Sequence, residues 1–312
     1  MMDTILVTGG NGFIGSTFIE MVFDTKKVKN VINLDKLTYC ANKKANKQFK
    51  NYKHIKEDIN NVFDALKGKE KSIDYIFHFA AESHVDNSIS GPEPFVHSNV
   101  NGTFKMVEFA KAFGIPIVVV STDEVYGSLS YEDPSSVETD ILKPSSVYSS
   151  TKAAADLIAL SYYHTFKTNV KITRCCNNYG FNQFDEKLLP TILRSLKQGK
   201  KIPVYGDGKN VREWIDARDH SEAIWMVAEK GQPGEVYNIG TSDERSNIEL
   251  VRGILELWGA GEDSIEFVED RKGHDIRYSL NCNKITHELG WIPKHGNVMD
   301  YLKEAISQIK TP

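Results

Sequence analysis

The sequence has no apolar stretch approaching the ~20 residues that a bilayer crossing requires, so neither a membrane span nor a membrane partner is expected. Cysteine is scarce. Four occur in 312 residues, Cys175 and Cys176 side by side and Cys40 and Cys282 isolated, which gives neither a disulfide framework nor paired-cysteine zinc spacing. Basic excess is missing too: 38 Lys and Arg stand against 42 Asp and Glu, for a net charge of −4, which argues against nucleic acid as a bulk partner. There is no internal repeat, low-complexity segment or cluster of metal-ligand residues, so no metal is expected. Met1-Met2-Asp3 leads into a strand pattern without the basic and apolar segments of a secretory signal, and the cytoplasm is the expected compartment. What is present is globular: 40% hydrophobic and 26% charged residues, in a chain long enough for one large domain or two of ordinary size.

Thr4-Ile5-Leu6-Val7-Thr8 predicts a buried strand, followed by Gly9-Gly10-Asn11-Gly12-Phe13-Ile14-Gly15 and an apolar-periodic helix to about Phe23. Glycines in such a turn permit positive φ and let backbone N–H groups approach a pyrophosphate at the positive end of the helix dipole. The next strand, Val31-Ile32-Asn33-Leu34, ends in Asp35, 20 residues after Gly15, where a carboxylate accepts the ribose hydroxyls of a dinucleotide. A 2′-phosphate would meet that charge, so the expected cofactor is NAD. Tyr52 to Lys56, Tyr75 to Phe79 and Ile117 to Ser121 read as further strands separated by helical segments. This alternation predicts an α/β fold, a Rossmann-type doubly wound parallel sheet with a smaller C-terminal domain. Pro92 to Phe113 and Val147 to Phe166 carry the longest helical patterns, each with an apolar stripe. After Cys176 the elements shorten and turn residues multiply. The domain boundary is therefore placed between residues 1–176 and 177–312, with some later segments packing back on the first domain.

The chemistry is expected at the carboxyl edge of this sheet. Ser121-Thr122-Asp123-Glu124-Val125-Tyr126-Gly127 follows the fifth strand and puts two adjacent carboxylates where open α/β sheets bind ligands. Neighbouring carboxylates in a partly dry cleft are pushed to different pKa values, so one donates a proton while the other accepts one, although an isolated Asp-Glu pair is more often a solvated turn. Tyr148 and Lys152 share a helix face, and an ammonium beside a phenol favours the phenolate, a base usable near neutral pH. The same spacing recurs elsewhere, as at Tyr39 and Lys43; position after the loop leaving the fifth strand singles out Tyr148. Ala80 and Ala81, at the end of the fourth strand, leave room for a flat cofactor ring, with Ser83 and His84 facing the cleft. Arg212, Arg271 and Lys187 are the cations suited to a diphosphate, though each taken singly is more often a solvated surface charge.

Thr8-Gly9-Gly10-Asn11-Gly12-Phe13-Ile14-Gly15, Tyr148-Ser149-Ser150-Thr151-Lys152 and Asn177-Asn178-Tyr179-Gly180 together resemble the extended short-chain dehydrogenase/reductases that act on nucleotide sugars. Four further segments are similar to the nucleoside-diphosphate-glucose 4,6-dehydratases: Ala80 to Asp86, Ser121 to Gly127, Glu186-Lys187-Leu188-Leu189-Pro190, and Asp270 to Tyr278. The likeness runs from about Thr4 to Pro293. It implies an NAD-dependent hydro-lyase that makes a 4-keto-6-deoxy sugar, a step toward rhamnose-type deoxysugars, as a homodimer through the two long helices. By resemblance, Thr122, Asp123, Glu124, Tyr148 and Lys152 are catalytic, with Asp123 the acid and Glu124 the base. Gly9, Gly12, Phe13, Ile14, Gly15, Asp35, Lys36, Thr38, Asp58, Ile59, Phe79, Ala80, Ala81, Ser83 and Ser98 then contact the cofactor, as do Tyr148 and Lys152. His84, Thr122, Asn177, Lys187, Leu188, Pro203, Tyr205, Arg212, Asn247, Arg271, His274 and Tyr278 contact the nucleoside-diphosphate-glucose. Phe181, Asp185 and Asp216 depart from the family pattern in the substrate loop. Asn182-Gln183-Phe184 and Gly206 to Asn210 lean toward UDP-glucose, whereas Gly273-His274-Asp275 leans toward dTDP-glucose, and the slight balance is toward UDP. The rival reading is a nucleotide-sugar 4-epimerase, which shares the phenol and ammonium but needs no acid pair.

Overall fold

The computed structural model describes residues 2–310. In chain order the strands are β1 (Met2–Thr8), β2 (Val28–Leu34), β3 (Tyr52–Ile55), β4 (Tyr75–His78), β5 (Ile117–Thr122), β6 (Val170–Cys175), β7 (Asn177–Tyr179), β8 (Ile202–Tyr205), β9 (Val211–Asp216), β10 (Val236–Ile239), β11 (Glu244–Ser246) and β12 (Ile265–Val268). Seven of them pair in parallel in the order β10-β6-β5-β4-β1-β2-β3. Parallel neighbours cannot be joined by hairpins, and the helices Phe13–Asp24, Thr103–Phe113, Val147–Phe166 and Ala217–Lys230 lie in the crossovers.

Side chains alternate between the two faces of a strand, so each face has its own core. Ile5, Val7 and Val118 pack with Phe18, Ile19, Ile224 and Trp225, under the helices Phe13–Asp24 and Ala217–Lys230. Leu6, Ile76 and Val119 pack with Met106, Phe109, Ala159 and Tyr162, under the other two helices. Coverage on both sides explains why β5 begins with the apolar run Ile117 to Val120 and has all six residues buried. Burying each Val or Ile there contributes about 1.5–3 kcal/mol.

The chain leaves β1 for β2 and β3 on one side, then returns to place β4 on the other. Beyond the carboxyl ends of β1 and β4 the chain therefore runs off in opposite directions, which opens a crevice for ligands. After β6 the chain builds two small sheets, β11-β9-β7 and β12-β8, around a third core that includes Leu189, Ile192, Trp214, Ile254 and Leu302. Between those pieces, Ala217–Lys230 and β10 return to the large sheet.

One helical pattern needs correction. Pro92 to Phe113 is not a regular helix: a π-helical stretch, Val96–Gly102, joins a short turn at Glu93–Phe95 to the helix Thr103–Phe113. The wider turn buries Ser98 and Asn99, and Asn99 bonds Glu82 through both its carbonyl oxygen and its amide.

Candidate active site

The glycine turn sits hard against the end of β4. Gly9 has φ +71°, and a Cβ there would stand 2.7 Å from the backbone of Ala80; a Cβ on Gly15 would stand 2.4 Å from the Gly9 carbonyl oxygen. Only glycine allows this approach of turn, helix and strand. The helix Phe13–Asp24 starts at Gly12 with no side-chain cap, which leaves its first N–H groups open to an anion. Asp35, 9% exposed, accepts from the N–H groups of Asn11 at 2.9 Å and Leu37 at 2.8 Å. Gly12, Phe13, Ile14, Lys36, Thr38, Ile59, Phe79, Ala81, Ser83 and Ser98 line the same cleft, so the residues present fit a dinucleotide. Asp58 stands just outside the lining, where it pairs with Lys36 at 3.4 Å and His97 at 3.3 Å. Lys36 in turn donates to the Ser98 hydroxyl at 3.0 Å.

The reacting groups gather at the far end of this cleft. Thr122 ends β5, and its hydroxyl caps the short 3-10 turn Asp123–Tyr126, accepting from the Glu124 N–H and donating to Asp123 Oδ1 at 3.1 Å. Asp123 is buried, and burial, then the neighbouring Glu124, pushes its carboxyl well above the usual range. Burial raises Glu124 as well, and Arg212, Arg271 and Lys187 oppose that rise without cancelling it. The two neighbours are thus driven apart, which favours a protonated Asp123 beside an ionised Glu124.

Tyr148 enters from the helix Val147–Phe166, whose start is set by a capping box between Ser146 and Ser149. The expected bias toward phenolate is not met: burial and then the charge of Glu124 hold its phenol above the ordinary value, opposed by a hydrogen bond with Thr122. Lys152 is 5% exposed and donates to the Val120 carbonyl at 2.7 Å, so β5 itself fixes the ammonium one turn along the helix from the phenol.

The three candidate substrate cations come from the second half of the chain; Arg212 is buried, and Lys187 and Arg271 are half-buried. Arg212, 5% exposed, lies 4.3 Å from the Tyr278 ring centroid and donates to the Asp275 carbonyl at 3.0 Å. Lys187 donates to the Ser83 carbonyl at 3.0 Å, and Arg271 faces Asp86 at 3.9 Å. Tyr205 reaches the other Asp86 oxygen at 3.3 Å and meets the His274 ring edge-on. Of the expected substrate residues, Thr122, Asn177, Lys187 and Leu188 line the central cleft, whereas His84, Tyr205, Arg212, Arg271, His274 and Tyr278 stand outside its lining, as do Pro203, exposed on β8 two residues before Tyr205, and Asn247, which begins the helix that follows β11. Buried polar atoms without a hydrogen-bond partner include Ser121 Oγ, Asp123 Oδ2, Trp214 Nε1 and His220 Nε2 in the cleft lining, and His84 Nδ1, Asp86 Oδ1 and Arg271 Nε outside it. Such atoms are costly in a dry cleft unless a ligand satisfies them.

Several lining residues escaped the sequence reading. Glu82 and Asn178 lie inside motifs already quoted, so inspecting neighbours of the chosen residues would have found them. His220 had no local signal; it arrives from the helix Ala217–Lys230 to bond Asn178 at 2.8 Å. Two of the departures have structural partners. Asp216 caps the helix Ala217–Lys230 and grips Arg218 through both oxygens, and Asp185 pairs with Arg194 at 3.5 Å.

Comparison with known proteins agrees with this geometry. A family model described as GDP-mannose 4,6 dehydratase matches residues 6–300. The dTDP-glucose 4,6-dehydratase of Haemophilus influenzae is 42% identical, over 94% of each chain. The low-salt glycan biosynthesis protein Agl12 of Haloferax volcanii is 45% identical, over 93% of each chain. The crystal structure of DesIV, a dTDP-glucose 4,6-dehydratase from Streptomyces venezuelae with NAD bound, superposes with a TM-score of 0.93 at 42% identity, covering 97% of this chain and 96% of that one. With a family model spanning nearly all of the sequence and relatives of this identity, the chain belongs to the nucleotide-sugar 4,6-dehydratases, a family of hydro-lyases.

Proposed function

We propose that the protein converts dTDP-glucose to the 4-keto-6-deoxy sugar nucleotide with NAD held through the cycle. The observation that carries this reading is the unequal acid pair at the end of β5, a buried Asp123 pushed well above the usual carboxyl range next to a Glu124 whose own rise three cations oppose. The lean toward UDP-glucose is corrected: the relatives at 42% identity over most of this chain are described as dTDP-glucose 4,6-dehydratases.

When bound, NAD supplies a store for one hydride, taken from carbon 4 of the sugar and given back at carbon 6. Tyr148 accepts the proton of the 4-hydroxyl, with Thr122 sharing its hydrogen bond and Lys152 supplying positive charge from the strand side. The 4-ketone so formed acidifies the proton on carbon 5, and Glu124 removes it. Asp123 protonates the 6-hydroxyl, which leaves as water; when the hydride is given back at carbon 6, Glu124 returns its proton to carbon 5, and the proton that Tyr148 took from the 4-hydroxyl replaces the one Asp123 gave up. Arg212, Arg271 and Lys187 would grip the diphosphate, Arg by paired N–H groups and Lys as a point charge.

Incubation with dTDP-glucose and, separately, UDP-glucose, followed by mass measurement of the products, tests the reading. The dTDP substrate should lose one water with no net reduced cofactor, and faster than its UDP counterpart. Conversion to the galactose isomer without loss of water would instead make the protein an epimerase and sink the proposal.

We also infer a homodimer. Phe104, Phe113, Leu157 and Phe166 are between 39% and 59% exposed on the helices Thr103–Phe113 and Val147–Phe166, an apolar face suited to a second copy. A monomer by light scattering at micromolar concentration would remove this inference.

A further inference from the structure

Behind the cleft, the acid turn and the phenol helix are joined by a buried charge network that the proposed chemistry does not use. Arg174, on β6, donates from Nε to Asp156 Oδ2 at 2.9 Å, with the two side chains 3% and 0% exposed. Its Nη1 donates to the Tyr126 hydroxyl at 2.9 Å, and the guanidinium lies 4.8 Å from the centroid of that ring. Tyr126 closes the turn that carries Asp123 and Glu124, and its hydroxyl donates to Asn238 Oδ1 on β10 at 2.8 Å. Asp156 follows Lys152 by four residues and Tyr148 by eight, so all three sit on one face of the helix Val147–Phe166.

Stability alone is a poor reason to keep such a pair. A buried ion pair is often no better than apolar residues of the same volume, and here Asp156 Oδ1 is left without a hydrogen-bond partner. What an apolar replacement cannot do is hold the turn through the Tyr126 hydroxyl while placing charge of both signs behind the phenol and ammonium. We propose that Arg174 and Asp156 are positioning residues, which fix the acid turn against the phenol helix and keep the charge behind Tyr148 and Lys152 balanced. The turnover consequences rest on the dehydratase reading.

Tyr148 is faced by Asp123 and Glu124 from the turn, by Thr122 from β5, and by Lys152 and Asp156 from its own helix. Lys152 also feels His78 from β4, and Arg174 is faced by Tyr126 and by the Glu138 carbonyl. The charge of Asp156 raises both Tyr148 and Lys152. Removing it leaves the Arg174 cation unpaired, so both groups should titrate at lower pH, by on the order of half a unit for a charge about 12 Å along the helix.

The test is the pH profile of cofactor reduction in a single turnover of the holoenzyme with dTDP-glucose, read by absorbance of the reduced nicotinamide. Asp156→Asn should move both limbs of the profile to lower pH, and adding Arg174→Met should bring them back toward the wild type. Tyr126→Phe keeps the ion pair but cuts the turn's links to both Arg174 and Asn238. It should leave the profile in place while kcat falls roughly tenfold at constant KM, the scale of the hydrogen bonds lost, and it decides the positioning role even if Asp156→Asn does not fold. An unmoved profile in Asp156→Asn, a shift that survives Arg174→Met, or an unaffected kcat in Tyr126→Phe overturns the proposal. If the wild type reduces no cofactor at all, it is the dehydratase reading that fails.

Discussion

The two ends of the cleft are finished to different degrees. At the cofactor end the polar groups already have partners within the chain: Asp35 holds two backbone N–H groups, and Lys36 holds Asp58 and Ser98. At the substrate end His84, Asp86, Asp123 and Arg271 each keep a buried polar atom without a partner. The first arrangement needs no ligand to be complete, whereas the second is satisfied only when something polar fills it. That contrast suits a cofactor that stays and a substrate that comes and goes.

Replacing the base breaks the substrate end most sharply. Glu124→Gln should lower turnover by roughly 10²–10⁴-fold while the first oxidation survives, so reduced cofactor accumulates on the enzyme and is visible by absorbance. At the other end, Gly9→Ala must fit a Cβ 2.7 Å from the Ala80 backbone at φ +71°, and the turn has to move. The purified variant should carry far less NAD than the wild type, as measured by cofactor released on denaturation, with activity lost in proportion. Arg271→Ala removes one of the proposed diphosphate contacts and should raise KM for dTDP-glucose about tenfold, the scale of a charge-assisted hydrogen bond, without changing NAD content. A change in retained NAD would show that the two ends are not separable.

The smallest expected effect is on stability. The pKa of Asp123 is raised in the folded protein, so between the ordinary carboxylate range and that raised value the folded state holds a proton that the unfolded state has released. Stability from this group is therefore lost as pH rises through that window. Asp123→Asn, which still accepts from the Thr122 hydroxyl, should melt roughly 2–4 °C higher at neutral pH if about 1 kcal/mol of strain is relieved, and should show no gain in acid. Equal melting temperatures at neutral pH would mean that Asp123 is not held against its charge.

Regular elements were legible where local chemistry marks their ends. Val147 to Phe166 matches the observed helix because Ser146 and Ser149 cap its start, while Lys167 takes a left-handed conformation with φ 58° at its end. The π-helical stretch Val96–Gly102 was not legible, because widening a helical turn by one residue leaves the apolar periodicity nearly intact. At the site, Tyr148, Lys152 and the acid pair could be named from strand ends and helix starts. Arg212 was ambiguous by itself: its burial depends on Tyr278 and Asp275, over sixty residues further on, and no local pattern reports a contact of that range.

Asp35 has a consequence for redesign. Both of its oxygens already join the glycine turn and the segment after β2. An exchange at this position, intended to admit a cofactor with a 2′-phosphate, would also unfasten Asn11 and Leu37. Altered dinucleotide preference is therefore reached by redesigning the contacts of Asn11 and Leu37 together with position 35, and a lone substitution there should yield a looser protein before it yields a different specificity.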